Sequence, residues 1–162
     1  MAVKFEDHSI EVKAAMNKIL VSFLHEAAGA IVSQAKRNSR VGKVAGGKTK
    51  GSWKYEVDEG RMIATVGSSE ENALWEEFGT GEYALEGKGR KGGWYISIGN
   101  GSGQISESVV EAYNMKVVYG KDGKKFAYTK GKKPNRTLFR AFESKKNAII
   151  RRCGTLMKGL NS

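Results

Sequence analysis

The sequence predicts an α+β fold in one domain, residues 1–162: an antiparallel β-sheet packed by a long N-terminal helix and a C-terminal helix. Three observations predict it. Helical apolar periodicity marks both ends of the chain. Short alternating segments fill the middle and pair as hairpins across turn residues. The two long helices stand at the ends with the strands between them, which favours an antiparallel sheet with helices laid on it. A length of 162 residues suits one compact domain with a real core.

The first helix is expected from Ser9 to about Arg37, because Val12, Met16, Ile19, Leu20, Phe23, Leu24, Ala27 and Ile31 recur at three- and four-residue steps. At 1.5 Å per residue it would be roughly 40 Å long. Asp7 or Ser9 can cap its start, and Lys36 and Arg37 suit the negative end of its dipole. The segment 38–52 is rich in glycine and lysine without apolar spacing, and is expected to be a mobile loop. Trp53–Val57 and Met62–Val66 alternate apolar and polar around the turn Asp58-Glu59-Gly60, as a β-hairpin does.

Glu70–Phe78 reads as a short helix closed by Gly79 in a left-handed conformation. Gly79–Gly93 is loop, mobile over about 84–93. Trp94–Ile98 alternates as a strand, Ser106–Tyr113 offers one or two helical turns, and Met115–Tyr119 with Lys125–Tyr128 form a further hairpin. The last helix is expected over roughly Arg136–Leu160, with Leu138, Phe142, Ile149, Cys153, Leu156 and Leu160 on one side. Leu138 and Phe142 are read as core anchors with Arg140 solvated, and Trp53, Trp75 and Trp94 as core or subunit-contact residues.

Catalytic patterns are not found. His8 and His25 have no companion ligands and read as ordinary side chains. Glu76 and Glu77 are neighbours, so on a helix they point about 100° apart and cannot face each other as an acid–base pair. Glu77 stands at a helix C-terminus, where the dipole disfavours it; either it is solvated or it pairs with a cation such as Arg136 or Arg140. The run Gly87-Lys88-Gly89-Arg90-Lys91-Gly92-Gly93 lacks the Lys-Ser/Thr pair and the following helix that a phosphate loop needs. No enzyme, cofactor or metal site is expected. A single cysteine, Cys153, excludes an internal disulfide. The first residues have no apolar run, so no signal peptide is expected, and the apolar stretches fall below membrane-spanning length, so no membrane partner is expected either.

The net charge is +11, and its signs come in blocks. Lys36 to Lys54 is basic, Glu70 to Glu86 acidic, and Lys121 to Arg152 basic again. Such blocks point to nucleic acid, to an acidic partner, or to head-to-tail contact between copies. The candidate contacts for DNA or an acidic neighbour are Lys43, Lys48, Lys50, Lys88, Arg90, Lys91, Lys130, Lys132, Lys133 and Arg136.

Three motifs then follow one another along the chain. Ala73-Leu74-Trp75-Glu76-Glu77-Phe78-Gly79-Thr80-Gly81 is followed by Gly89-Arg90-Lys91-Gly92-Gly93-Trp94, and later by Thr129-Lys130-Gly131-Lys132-Lys133-Pro134 with Leu138-Phe139-Arg140-Ala141-Phe142-Glu143. In this order they resemble the tail-component family of tailed phages and prophages, the neck proteins of lambdoid siphophages. The Glu-Phe-Gly-Thr-Gly string and the later Lys-Pro turn carry the resemblance. The chain departs from the family pattern at Asn135–Arg140, where a proline-rich approach to the helix is usual, and over about 96–124, which is longer and can hold an extra hairpin.

The resemblance implies a structural virion protein of the head–tail junction, acting in neck assembly or tail completion and made in the host cytoplasm. It implies a homo-oligomeric ring, in the family often of six subunits, meeting head-completion and tail-tube or tail-terminator proteins, with genome DNA passing through the lumen. It makes Trp75, Glu77, Phe78, Gly79, Thr80, Gly81, Trp94, Pro134 and Phe139 the motif and subunit-contact residues. The alternative is a non-specific DNA-binding protein of phage or prophage origin.

Overall fold

A computed structural model describes residues 7–44 and 46–159. The chain is α+β, with helices α1 (Ser9–Asn38), α2 (Lys48–Ser52), α3 (Glu71–Phe78), α4 (Glu107–Ala112) and α5 (Thr137–Gly159) and strands β1 (Trp53–Asp58), β2 (Ile63–Ser68), β3 (Trp94–Ser97), β4 (Lys116–Tyr119) and β5 (Lys125–Thr129). All strand pairs are antiparallel. They divide between two sheets, a division that alternation alone does not reveal. One is the β1–β2 hairpin, in register from Trp53 opposite Ser68 to Asp58 opposite Ile63. The other has three strands in the order β3-β5-β4.

The two long helices pack along each other, and α1 also lies against β1 and β2. An Arg152–Glu26 ion pair at 3.2 Å ties α5 to α1. The core gathers Val32, Ala35, Trp53, Ala73 and Ala141, flanked by Ile31, Val66 and Leu138. Three of its members are alanines, one each on α1, α3 and α5, so the backbones of three helices can approach closely around a single Trp53 ring. The Trp53 indole N–H donates to Ser39 Oγ at 2.8 Å, which satisfies the one polar atom of that ring.

Several expectations are corrected. The deepest positions of α1 are Ala28, Val32 and Ala35, one step round from the anticipated stripe, whose Val12 is exposed. Small residues occupy the closest approach and large ones flank it. The expected loop 38–52 ends in α2, anchored by buried Thr49, whose hydroxyl accepts from Asn72 Nδ2 at 2.9 Å. His8 stands at the N-cap position of α1 without a side-chain cap bond, while Asp7 Oδ1 accepts the Ser9 N–H at 2.9 Å and is held below the usual carboxylate range by it.

Of the α5 stripe, Leu138, Ile149, Cys153 and Leu156 are half-buried, Leu160 lies outside the described residues, and Phe142 is exposed. The apolar content of α1 was also underestimated. Its 30 residues include an 18-residue window of mean hydropathy 1.2, enough by length and composition alone to cross a bilayer. Lys18 and Glu26 divide it into short apolar runs, so only the average over the helix reveals it.

Candidate functional site

Two surfaces draw on the residues singled out in the sequence. The first is a knot where α3 runs into the 79–82 segment and meets 130–139. Gly79 ends α3 with its N–H on the Trp75 carbonyl at 3.0 Å. Its φ is +71° and its ψ 178°, not the left-handed helical conformation expected but an extended one at positive φ that essentially only glycine adopts. A Cβ there would lie 2.8 Å from Pro134 Cδ. The Thr80 N–H then donates to the Lys132 carbonyl, the Lys132 N–H to Thr80 Oγ1, and the Glu82 N–H to the Lys130 carbonyl, each at 2.9 Å. Gly81 is buried at φ +59°, and a Cβ on it would overlap the Lys130 carbonyl and reach 2.6 Å from the Trp94 ring. Gly79, Thr80, Gly81, Trp94 and Pro134 are thus packed into one unit.

Glu77 completes the knot in a way neither sequence reading anticipated. It is neither free in solvent nor paired with an arginine. Its carboxylate accepts the backbone N–H of Leu138 at 2.7 Å and of Phe139 at 3.0 Å. These are amides of the first turn of α5, which have no partner inside the helix. Glu77 therefore does from another helix what a capping side chain does locally, with its charge against the positive end of the dipole. The local cap position is held by Arg136, at φ +52°, whose guanidinium sits over the Phe139 ring at 3.7 Å. The main-chain carbonyl of Glu76 accepts the Asn135 N–H at 2.6 Å, so α3 dictates where α5 begins.

The face outside this knot is apolar. Leu74, Trp75 and Phe78 of α3 and Phe139 and Phe142 of α5 are between 44% and 59% exposed. The expectation that Phe142 anchors the core is therefore corrected, and Phe78 joins it on the surface. Ala73 and Ala141 take the inward positions of the two helices, which turns the bulky neighbours outward.

The second surface is a cleft of about 1210 Å³ between the 40–49 segment, α3 and the β4–β5 hairpin. Arg40, Lys43, Lys48, Lys116, Lys130 and Lys132 line it, opposed by Glu70 and Glu76. Lys43, Lys48, Lys130 and Lys132 of the predicted basic set are brought together here. Arg90 lies in a neighbouring hollow of about 530 Å³, over the Trp94 ring at 5.8 Å. Lys133 covers Tyr83 at 5.5 Å. Lys50 and Lys91 are exposed away from both hollows, and Lys88 is paired with Glu86 at 2.6 Å.

The acidic block is largely consumed by these bases within the chain: Glu70 by Lys48, Glu76 by Lys132, Glu82 by Lys130. The bond to Glu82 raises the Lys130 pKa above its ordinary value. Glu76 is buried, and its Oε2 has no hydrogen-bond partner, the only such side-chain atom found among the described residues. Arg40, Lys116, Tyr83, Tyr113 and Tyr128 were not singled out from sequence. The alternation of β4 and β5 contained a signal for two of them, since Lys116 and Tyr128 face each other in register.

Among the described residues no three His, Cys, Asp or Glu side chains converge as metal ligands. His25 Nδ1 lies 3.4 Å from the Tyr55 hydroxyl, and His8 Nδ1 lies 2.9 Å from Glu11 Oε2. Comparison with known proteins finds no matching family model, no matching curated protein and no matching solved structure.

Proposed function

We propose that this chain is a structural protein of a phage virion, acting at the head–tail junction in neck assembly or tail completion, without catalytic activity. Copies join as a ring whose lumen passes DNA, between head-completion proteins and the tail tube or its terminator. The observation that carries this reading is the apolar face of α3 and α5. Bulky apolar groups left open on two rigidly joined helices favour association. They include Trp75, Phe78 and Phe139 of the motif that resembles the neck family. A patch of this kind meeting a different surface on the next copy closes into a ring when the rotation permits.

Negative-stain imaging of the purified protein, with light scattering across a concentration series, tests it. Rings or concentration-dependent oligomers are expected. A protein that stays monomeric at high concentration, and is absent from purified particles, overturns the proposal.

The basic cleft favours a second reading, a non-specific DNA-binding protein. That reading requires binding that falls steeply with salt. Absence of binding at about 0.1 M salt removes it.

A further inference from the structure

The three-stranded sheet carries a row of side chains that assembly through α3 and α5 does not use. Tyr95 of β3, Tyr128 of β5 and Lys116 of β4 are direct neighbours in register, so they stand on one face of the sheet. The rings of Tyr95 and Tyr128 are 5.3 Å apart and tilted, and Tyr95 is 60% exposed. Ala127, on the opposite face of the central strand, is fully buried, so this row faces outward. The row also joins the two hollows, because Lys116 and Tyr128 line both. Along the groove, the exposed Tyr113 ring lies under Lys43 at 5.6 Å, and Arg90 stands over the half-buried Trp94 ring at 5.8 Å.

We infer that this groove binds single-stranded nucleic acid, with its bases stacked on the tyrosine rings and its phosphates held by the flanking lysines and arginines. A cationic track alone would serve an acidic peptide equally well. Interleaved aromatic faces distinguish the two, since every base has a π-face to stack and a chain of carboxylates has none. The form of the ligand follows from the same rings. A duplex keeps its bases stacked on one another and offers the protein phosphates and groove edges, leaving the tyrosine faces idle. A single strand exposes its bases to them. A base inserted under Lys43 would be held between the Tyr113 ring and the cation. This inference sharpens the nucleic-acid reading of the cleft and is independent of ring formation.

The test is fluorescence anisotropy with the intact protein and a labelled oligothymidine of about 20 nucleotides, longer than the roughly 4–16 nucleotides that one small domain covers. A duplex of equal length and a poly-glutamate peptide serve as competitors. The single strand should bind at least about fivefold tighter than the duplex if stacking contributes even one base's worth. Tyr95→Ala, in the smaller hollow, and Tyr113→Ala, in the larger, should each weaken it about 5- to 150-fold with the salt slope unchanged. Lys116→Ala should lower that slope by about one unit. Tyr119→Ala, 69% exposed on β4 but outside both hollows, should leave binding unaltered. Circular dichroism establishes that each variant is folded, and the two tyrosine variants stand in for one another if either is not. Equal or tighter binding of the duplex overturns the inference while leaving a general DNA-binding role intact. Affinity that is indifferent to both tyrosine changes also overturns it. Displacement of the strand by poly-glutamate at comparable concentration assigns the groove to an acidic protein instead.

Discussion

At the scale of single residues, Glu77 decides how the two halves of the chain are joined. A carboxylate at the end of α3 is locally unfavourable, and its position makes sense only through amides some sixty places later. Glu77→Ala leaves those amides unsatisfied and should destabilise the fold by about 0.5–2 kcal/mol, the usual cost of losing a cap. Glu77→Gln keeps an acceptor and should cost less. Urea unfolding midpoints measure both, and an unchanged midpoint for the alanine variant would sink the capping role. Gly81 in the knot and Gly87 outside it make a separable prediction. Gly87 sits at φ +67° with open space around it, so Gly87→Ala adds only backbone strain, about 1–2 kcal/mol. Gly81→Ala adds overlap with the Lys130 carbonyl and Trp94, for roughly 1–3 kcal/mol more. Equal losses would mean the knot yields readily. The sequence marked Gly81 as unusual but could not say what pressed on it, because Lys130 and Trp94 are remote along the chain.

At the scale of elements, periodicity located α1, α3, α5 and the strands within a few residues, since local patterning is what defines them. It failed where the outcome depends on what lies opposite. The same three- and four-residue apolar spacing places Leu138 against the core and Phe142 in solvent. A stripe shows that a helix has an apolar side; it does not show whose atoms cover it. Five strands likewise do not announce whether they make one sheet or two. The basic cleft was legible only as a list of cations, because fold topology alone brings the 40–49 segment beside the β4–β5 hairpin. Phe142 and Phe78 give this distinction a test. Leu138→Ala should lower monomer stability by roughly 2 kcal/mol, in the range for an apolar truncation against a core. Phe142→Ala and Phe78→Ala should lower it by well under the ~3–5 kcal/mol of a buried phenylalanine, yet reduce self-association. Calorimetry on dilute protein beside light scattering on concentrated protein separates the two effects. A full core-sized loss for Phe142→Ala would mean that its exposed surface is not what the residue is there to provide.

At the scale of the whole molecule, charge and apolar surface pull association in opposite directions. Each copy carries +11, and like-charged copies repel. Alternating acidic and basic blocks along the sequence point instead to head-to-tail attraction between copies. The structure leaves little acid for that purpose: Glu70, Glu76, Glu82 and Glu86 are paired with Lys48, Lys132, Lys130 and Lys88 of their own chain, and Glu77 is spent on α5. What remains exposed is mostly positive charge and the apolar face of α3 and α5. Salt screens repulsion between exposed charges, with a Debye length that shrinks from about 10 Å at 0.1 M to about 3 Å at 1 M, and it does not weaken apolar contact. Self-association should therefore strengthen as salt rises across that range, while binding of any polyanion weakens. Sedimentation velocity at fixed protein concentration across a sodium chloride series measures the first, and anisotropy the second. If oligomers dissociate as salt rises, charge pairing between copies holds them together, and the apolar face of Trp75, Phe78, Phe139 and Phe142 must be reassigned to a different partner.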